Sequence, residues 1–466
     1  MVPILLLSAL ISVPTQAQSN YKINVMDQFS LPVSQALVLI GDEQGQPFSN
    51  NFLTTDAGGE LQIPSAWKSS QPVTIDAPGF VRQTILNQNP QNLKVYLKSA
   101  YLNPQIFISG IIKDLPVVNK DKLIDFSVVL TTFNQNDFIH INQEQFISPY
   151  PDQLSVMGKT GAIFSNVSLP EQKENYIIPI TITKPTYTLF LNSSGSKKII
   201  SMSGRFPFKQ VADDLKNGKS FFDVINYFEI LNFGKLDIQI NKNTPGVDFS
   251  GITVPLPEKI TIVAPAIAND EQALVLPMNS MNQFYIPSGI KKLDSSESAN
   301  FNTLDHANVS LLAMIKRKKD LRMANDQLRM SASFVKALDP TAAIYLPIMD
   351  DPEALSMDPV KVITKPLVAP SGLYASGMMG VLAEIFETSY NQQAVKIVNP
   401  QWEVFALNWE HRVQLPKWPL DLTLPKALVK TFEMTYFAQG QPVPNKDVKS
   451  MLDHATHLTK AVVNLQ

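Results

Sequence analysis

The sequence predicts a mainly β protein with several β-sandwich domains in series, a short helical interlude and a C-terminal helix. Short segments alternate apolar and polar residues with a period of two, as at 21–25 and 93–97, which is the pattern of half-buried strands. Pro, Gly and Asn interrupt these segments at short intervals. The chain has 466 residues, 44% of them hydrophobic and 17% charged, so it is folded and too long for one core. We expect about three domains.

The first residues have the form of an export signal. Residues 2–13 are mostly apolar and are followed by Pro14 and the small-residue site Thr15-Gln16-Ala17. This predicts a cleaved signal peptide over 1–17 with Gln18 as the first mature residue. No Lys or Arg precedes the apolar run, so an uncleaved anchor is the alternative; the run is shorter than the ~20 residues that span a bilayer. After signal removal we expect no membrane-spanning segment.

The chain contains no cysteine. Disulfides and thiolate chemistry are therefore excluded, and so is a lipid anchor on a cysteine. An exported chain of this kind is typical of bacteria, and the prediction is a secreted or periplasmic protein. The net charge of −2 gives the chain no general attraction to nucleic acid.

The stretch "TTDAGGELQIP" (54–64) joins two predicted strands of the first module. Asp56 can accept hydrogen bonds from the backbone N–H groups that follow it, and Gly58 and Gly59 supply positive φ angles. Leu61 and Ile63 then return to the buried face. The pattern predicts a turn.

Three segments in order carry a resemblance to a known family: "LPVSQALVLI" (31–40), "TTDAGGEL" (54–61) and "APGF" (77–80). They resemble the carboxypeptidase regulatory-like, transthyretin-like β-sandwich domain, over residues 20–98. The residues that fit its turn and its A-x-G-[FY] strand are Thr55, Asp56, Gly59, Ala77, Gly79 and Phe80. The resemblance implies a structural or binding accessory domain, with Asp56 as a turn residue rather than a calcium ligand.

Metal and cofactor sites are not predicted. Zinc carboxypeptidases carry H-x-x-E, and none of the five histidines is followed by Glu at the third position. His454 and His457 lie three apart on the predicted C-terminal helix, but no third ligand accompanies them. The acidic stretch "DDPEALSMD" (350–358) lacks the spacing of a calcium loop. No G-x-S-x-G, Walker or dinucleotide motif occurs.

Three further domains are predicted after the module. A second β-sandwich covers 102–207, with strands at 106–112, 124–133, 138–141, 176–182 and 187–191. A helical interlude and a β-rich segment cover 208–292, with an apolar helical stripe of Phe221, Val224, Ile225 and Phe228 packed in a core. The polar stretch Leu293 to His306 is predicted to be a loop or a domain boundary.

A C-terminal β-rich domain is predicted over 306–466, ending in a helix. Asn445 is the expected N-cap of that helix. The apolar positions on one of its faces are Val448, Leu452, Ala455, Leu458 and Val462.

Two candidate binding surfaces stand out. The basic run contains Lys316, Arg317, Lys318 and Lys319; it can hold an anionic glycan or a lipid phosphate, or be a solvated hairpin edge. Trp402 and Trp418 lie near the ends of a strand predicted over 404–416, where they can form exposed platforms for sugar stacking. On the same strand Trp409 and His411 share the apolar parity and are expected in the core.

The function predicted from these features is that of a non-enzymatic binding or structural protein of the bacterial cell envelope or the extracellular space. Its expected partner is an envelope glycan or another envelope protein, with no nucleic acid. The alternative is a secreted or periplasmic hydrolase of glycan or peptide, because two catalytic carboxylates can come from distant strands without a local motif. Two carboxylates about 5–10 Å apart in a cleft would favour that alternative.

Overall fold

The computed structural model describes the chain in segments. These cover residues 21–27, 30–43, 52–100, 106–111, 123–132, 163–169, 174–179, 181–182, 186–191, 195–217, 219, 221–241, 244, 246–249, 254–264, 266–281, 284–317, 329–335, 354–358, 361–364, 367, 379–390, 396–418, 429–439 and 447–465. The signal-like stretch 1–17 and the predicted strand 138–141 lie outside them. The described part is mainly β, as the alternating patterns predict.

The N-terminal module is a two-sheet sandwich. Its strands are β1 (Lys22–Asp27), β2 (Leu37–Ile40), β3 (Leu53–Thr54), β4 (Glu60–Gln62), β5 (Gln71–Asp76), β6 (Arg82–Gln88) and β7 (Leu93–Leu97). One sheet has the order β4-β1-β7, and the other begins β3-β2-β5-β6. Alternate residues of β1 and β5, such as Ile23, Val25, Val73 and Ile75, are fully buried between them.

The next region surrounds a five-stranded sheet of order β12-β9-β14-β15-β16. Its strands, with two small neighbouring pairs, are β8 (Ile106–Ile111), β9 (Leu123–Thr131), β10 (Ile163–Leu169), β11 (Glu174–Pro179), β12 (Thr181–Ile182), β13 (Thr186–Leu191), β14 (Gly195–Pro207), β15 (Glu229–Ile240) and β16 (Val254–Pro255).

The helical interlude connects β14 to β15. It consists of α1 (Phe208–Lys216), α2 (Phe221–Val224) and a 3₁₀ turn (Ile225–Tyr227). The predicted core role of the stripe is confirmed for Val224 and Ile225, which are buried, and Phe228 stacks on Phe206 with ring centroids 4.6 Å apart.

The remaining elements are β17 (Glu258–Val263), β18 (Glu271–Met281), β19 (Phe284–Pro287), β20 (Lys291–Leu293), β21 (Ser298–Thr303), β22 (Val309–Arg317), β23 (Arg329–Val335), β24 (Ala354–Asp358), β25 (Lys361–Thr364), β26 (Met379–Tyr390), β27 (Lys396–Ala406), β28 (Arg412–Gln414), β29 (Val429–Ala438), α3 (Val448–His454) and β30 (His457–Leu465). The polar stretch Leu293 to His306 was expected to be a loop; it contains β21, which pairs with β17 along its whole length.

The C-terminal helix is shorter than its pattern predicts. It ends at His454, and Leu458 and Val462 lie in strand β30. Thr459, Val462 and Val463 are β-branched, which favours a strand. The N-cap is Asp447 instead of Asn445, because the Asp447 carboxylate accepts the backbone N–H of Ser450 at 2.8 Å.

One sheet of 13 strands crosses the predicted domain limits. It runs β19-β18-β22-β23-β30-β29-β26-β27-β6-β5-β2-β3, with β20 also paired to β18. The module enters this sheet through a parallel pairing of β6 with β27, in which Arg82 faces Trp402 and Ile85 faces Phe405. The predicted domains therefore share backbone hydrogen bonds in addition to being connected in series.

Candidate functional site

The turn after β3 is held by side chains that bind the backbone. Asp56 Oδ1 accepts the N–H groups of Gly58 at 2.9 Å and Glu60 at 2.8 Å, which confirms the predicted turn. Thr55, which is buried, accepts the Ala36 N–H and donates to the Val33 carbonyl. All these side chains form hydrogen bonds with backbone groups and so stabilise the turn.

Gly59 is the position in this turn that requires glycine. Its φ is +73°, and a Cβ atom there would lie 2.4 Å from the Val25 carbonyl oxygen. Gly58 differs: contrary to the prediction its φ is not positive, and a Cβ there would meet only Asp56 Oδ1, at an ordinary 3.4 Å. The turn can therefore approach β1 this closely only because residue 59 is glycine.

The seam between β6 and β27 contains a cation held between two indoles. The guanidinium carbon of Arg82 lies 4.7 Å from the ring centroid of Trp402 and 4.8 Å from that of Trp418. Asp76 lies 3.5 Å from the same guanidinium. A desolvated cation–π contact contributes up to about 2 kcal/mol, so this arrangement stabilises the docking of the module.

The tryptophans are therefore not exposed platforms. Trp402 is 7% and Trp418 5% exposed. Trp402 Nε1 donates to Thr84 Oγ1 at 2.9 Å, and Thr84 is in turn 2.8 Å from Thr74. The expectation of exposure is wrong because β6 pairs with β27 at Trp402 and Phe52 packs on Trp418, with ring centroids 4.9 Å apart.

Of the other two residues predicted on that strand, Trp409 packs against a core as expected and His411 does not. β27 ends at Ala406, and a break separates it from β28, so the assumed single strand over 404–416 does not exist. His411 is exposed instead of lying in the core. Trp409 is partly buried against the hydrophobic cluster that includes Trp402 and Tyr436. Its Nε1 donates to the Phe437 carbonyl at 2.9 Å.

Polar contacts flank the seam. Lys98 forms an ion pair with Glu403, which is nearly fully buried. At the surface, Lys417 lies 3.0 Å from Glu43, and Asn87 donates to Glu410 at 3.2 Å. These contacts join the N-terminal module to the C-terminal part of the sheet, through residues that lie near opposite ends of the sequence.

Three glutamates form a buried row across the large sheet. Glu403, Glu384 and Glu433 are direct partners on the adjacent strands β27, β26 and β29, so their side chains share one face. They are 2%, 4% and 7% exposed. We call them the carboxylate row.

Two lysines neutralise much of this charge. Lys98 contacts Glu403 at one end of the carboxylate row. Lys460 on β30 lies 2.7 Å from Glu433 and 3.8 Å from Glu384. Burial lowers the pKa of Lys460, but the charges of Glu433 and Glu384 and the hydrogen bond to Glu433 outweigh it and raise the pKa above its ordinary 10.5.

Sequence reasoning missed the carboxylate row, although a signal for it is present. Each of the strands β26, β27, β29 and β30 carries one charged residue inside an apolar run, in "VLAEIF", "WEVFA", "TFEMTYF" and "LTKAVV". A lone charge in a central strand needs a buried partner. The sequence does not reveal which of these strands are neighbours in the sheet.

The two C-terminal histidines lie on different elements, because the helix ends between them. His454 ends α3, with Nδ1 2.7 Å from the Ser450 carbonyl oxygen. His457 is buried on β30, with Nδ1 2.9 Å from Thr456 Oγ1; burial lowers the pKa of His457 from 6.5 to about 4. The described residues contain no group of three or more His, Asp or Glu side chains arranged to hold a metal.

The basic run is only partly described. Lys316 and Arg317 end β22, with backbones paired to Gln272 and Glu271, while Lys318 and Lys319 lie outside the described residues. In the acidic stretch 350–358, residues 354–358 form β24 and the first four positions lie outside. Within the described segments, no helix has the length and apolarity needed to cross a membrane.

No protein-family model matches the chain, and no curated protein is similar enough to count as a relative.

Proposed function

We propose that this chain is an exported, non-enzymatic protein of the bacterial cell envelope or extracellular space that binds an envelope component or supports its structure. The proposal rests on the signal-like stretch 1–17, the absence of cysteine and the mainly β fold. The non-enzymatic part of the proposal depends on one observation: the carboxylate row is buried and paired with lysines.

A pair of hydrolytic carboxylates needs an opening. One group protonates the leaving oxygen and the other attacks or activates water, and both must reach a substrate between them. In the carboxylate row every side chain is under 10% exposed, and Lys98 and Lys460 occupy the positions beside Glu403 and Glu433. This arrangement supports a structural role for the row.

The N-terminal module fits an accessory role of the kind implied by its resemblance to carboxypeptidase regulatory-like domains. Thr55, Asp56 and Gly59 serve its turn through backbone contacts. Arg82 and Lys98 tie it to the C-terminal sheet. We propose that the module stiffens and positions the body of the protein.

The test uses the mature chain from Gln18 onward with isolated envelope polysaccharide and peptidoglycan sacculi. We expect co-sedimentation with one of these materials and no release of reducing sugar or free amine. Release of either product, with loss of that activity in Glu433→Gln and in Glu384→Gln, would establish the hydrolase alternative. Lack of binding to all envelope fractions would remove the binding half of the proposal.

A further inference from the structure

Strand β30 is held in the interior of the large sheet, between β29 and β23. Its residue Lys460 is 3% exposed. The Lys460 Nζ atom donates to Glu433 Oε2 on β29 at 2.7 Å, and Glu433 is itself buried. An amine and a carboxyl group are therefore held in contact on two adjacent strands, away from water.

A second carboxylate lies close to the same amine. Glu384 on β26 is 3.8 Å from Lys460 Nζ and is also buried. It is the direct partner of Glu433 in the pairing of β26 with β29. One lysine thus faces two carboxylates, so that one of them can react with the amine while the other accepts and returns a proton.

A buried hydroxyl lies beside this group. Thr435 is directly opposite Lys460 in the pairing of β29 with β30, which sets their Cβ atoms about 4.5–5.5 Å apart. It is two residues from Glu433 and therefore on the same face of β29. Thr435 is fully buried, and its Oγ1 makes no hydrogen bond among the described residues. A hydroxyl in this position can donate to negative charge that develops on the Glu433 carboxyl group.

Apolar side chains continue the same face next to these residues. Leu382, Phe437 and Leu458 lie two positions from Glu384, Thr435 and Lys460 along their strands and belong to one buried hydrophobic cluster. Separated charges are disfavoured in such surroundings. Proton transfer along the hydrogen bond converts the ion pair into an amine and a carboxylic acid without changing the net charge, and it costs less here than in water.

We propose that Lys460 and Glu433 join in an amide bond, which forms a covalent cross-link between β30 and β29. One ammonium proton moves along the existing hydrogen bond to Glu433 Oε2, and the neutral amine forms a bond to Glu433 Cδ. Thr435 donates to the negative charge that appears on Oε1. Glu384 takes a second proton from Nζ and gives it to Oε2, which leaves as water when the Cδ–Oε2 bond breaks. The reaction consumes no oxidant, reductant or cofactor.

The cross-link would fix the position of β30 in the sheet. Glu433 and Lys460 are 27 positions apart, and the chain between them contains α3. On its other side β30 pairs with β23. A bond at Lys460 would therefore prevent β30 from separating from β29 even when the hydrogen bonds between the two strands open.

The first measurement is the intact mass of the denatured chain, produced from Gln18 onward and followed over time after purification. We expect a mass one water below the sum of the residues. Trypsin cuts after Lys430, Lys446 and Lys449 but does not cut at an acylated lysine, so a branched peptide should join residues 431–446 to 450–466. A wild-type chain that keeps its full sequence mass would overturn the proposal without any reference to a variant.

Four variants assign the chemistry. Lys460→Arg keeps the charge but lacks the amine, so it should retain the full mass. Lys98→Arg is the matched control, because Lys98 also pairs with a buried carboxylate, that of Glu403; it should lose water as the wild type does. Thr435→Val removes the hydroxyl with little change of shape and should slow the reaction about a hundredfold. Glu384→Gln removes the group that transfers the proton and should slow it by about a hundredfold as well.

The two slow variants protect the test against a failure to fold, since Thr435→Val adds no charge and leaves Lys460 paired. Three results would contradict the proposal. The first is loss of water in Lys460→Arg, and the second is a branched peptide that maps to Lys98 and Glu403. The third is an unchanged rate in both Thr435→Val and Glu384→Gln, because the bond would then form without the groups that surround it.

Discussion

Lys460 Nζ donates to Glu433 Oε2 at 2.7 Å in a part of the sheet where both side chains are under 10% exposed. Replacing Lys460 with Met leaves Glu433 and Glu384 without their shared cation. Removal of one partner from a buried pair costs about 3–5 kcal/mol. We expect Lys460→Met to lose that much unfolding free energy in urea denaturation.

The control for Lys460→Met is Lys449→Met. Lys449 also pairs with a carboxylate, Asp453 at 2.9 Å, but on the exposed side of α3. A pair of this kind contributes about 0.3–0.5 kcal/mol. Similar losses in the two variants would show that the carboxylate row does not depend on its lysine.

The turn offers a matched glycine pair. Gly59→Ala forces a side chain into positive φ, at roughly 1–3 kcal/mol, and sets a Cβ against the Val25 carbonyl. Gly58→Ala meets ordinary contacts and should change stability by about 0.5 kcal/mol or less. Thermal melts of the full chain compare the two. Tolerance of alanine at Gly59 would contradict the geometry of this turn.

The tryptophans should be shielded from solvent. Trp67, Trp402 and Trp418 are all buried, and Trp409 is partly buried. Iodide, which quenches only exposed indoles, should reach Trp409 alone. We expect weak quenching in the wild type and almost none in Trp409→Phe. Strong quenching that persists in this variant would restore the idea of exposed platforms at Trp402 and Trp418.

His457 should make the fold sensitive to acid. Its pKa is lowered to about 4 in the folded chain and is 6.5 when unperturbed, so protonation favours the unfolded chain. Above pH 6.5, where His457 is neutral in both states, the unfolding free energy has its full value. As pH falls from 6.5 toward 4, protonation of His457 in the unfolded chain lowers that free energy by roughly 3 kcal/mol. His457→Gln should flatten this part of the stability–pH curve. An unchanged slope, or a histidine NMR titration near 6.5 at this position, would contradict the expectation.

Local patterning predicts the β class and many strands because alternation is a property of neighbouring residues. The stretches 106–111 and 187–191 are examples where pattern and strand agree. The end of the chain shows the limit, since Leu458 and Val462 fit the helical spacing of Val448 and Leu452 by coincidence. Tertiary pairing of β30 with β29 and β23 decides between the two structures.

Long-range pairing explains what the sequence does not predict about the candidate sites. Trp402 looks exposed until β6 pairs with its strand. The carboxylate row exists because β26 lies between β27 and β29 in the sheet, with Glu384 opposite both Glu403 and Glu433. Each property depends on the order of strands in a sheet, which composition and period do not encode.

The union of β6 with β27 has a consequence for the order of folding. Trp402 and its hydrogen-bond partner Thr84 are 318 positions apart. At ~5–20 residues per second, synthesis reaches Trp402 about 15–60 s after Thr84. Until then the module can complete its own sandwich, but the β6 side of its sheet is an unpaired edge, the kind of surface through which chains aggregate. The nascent chain therefore carries this unpaired edge until its last third arrives.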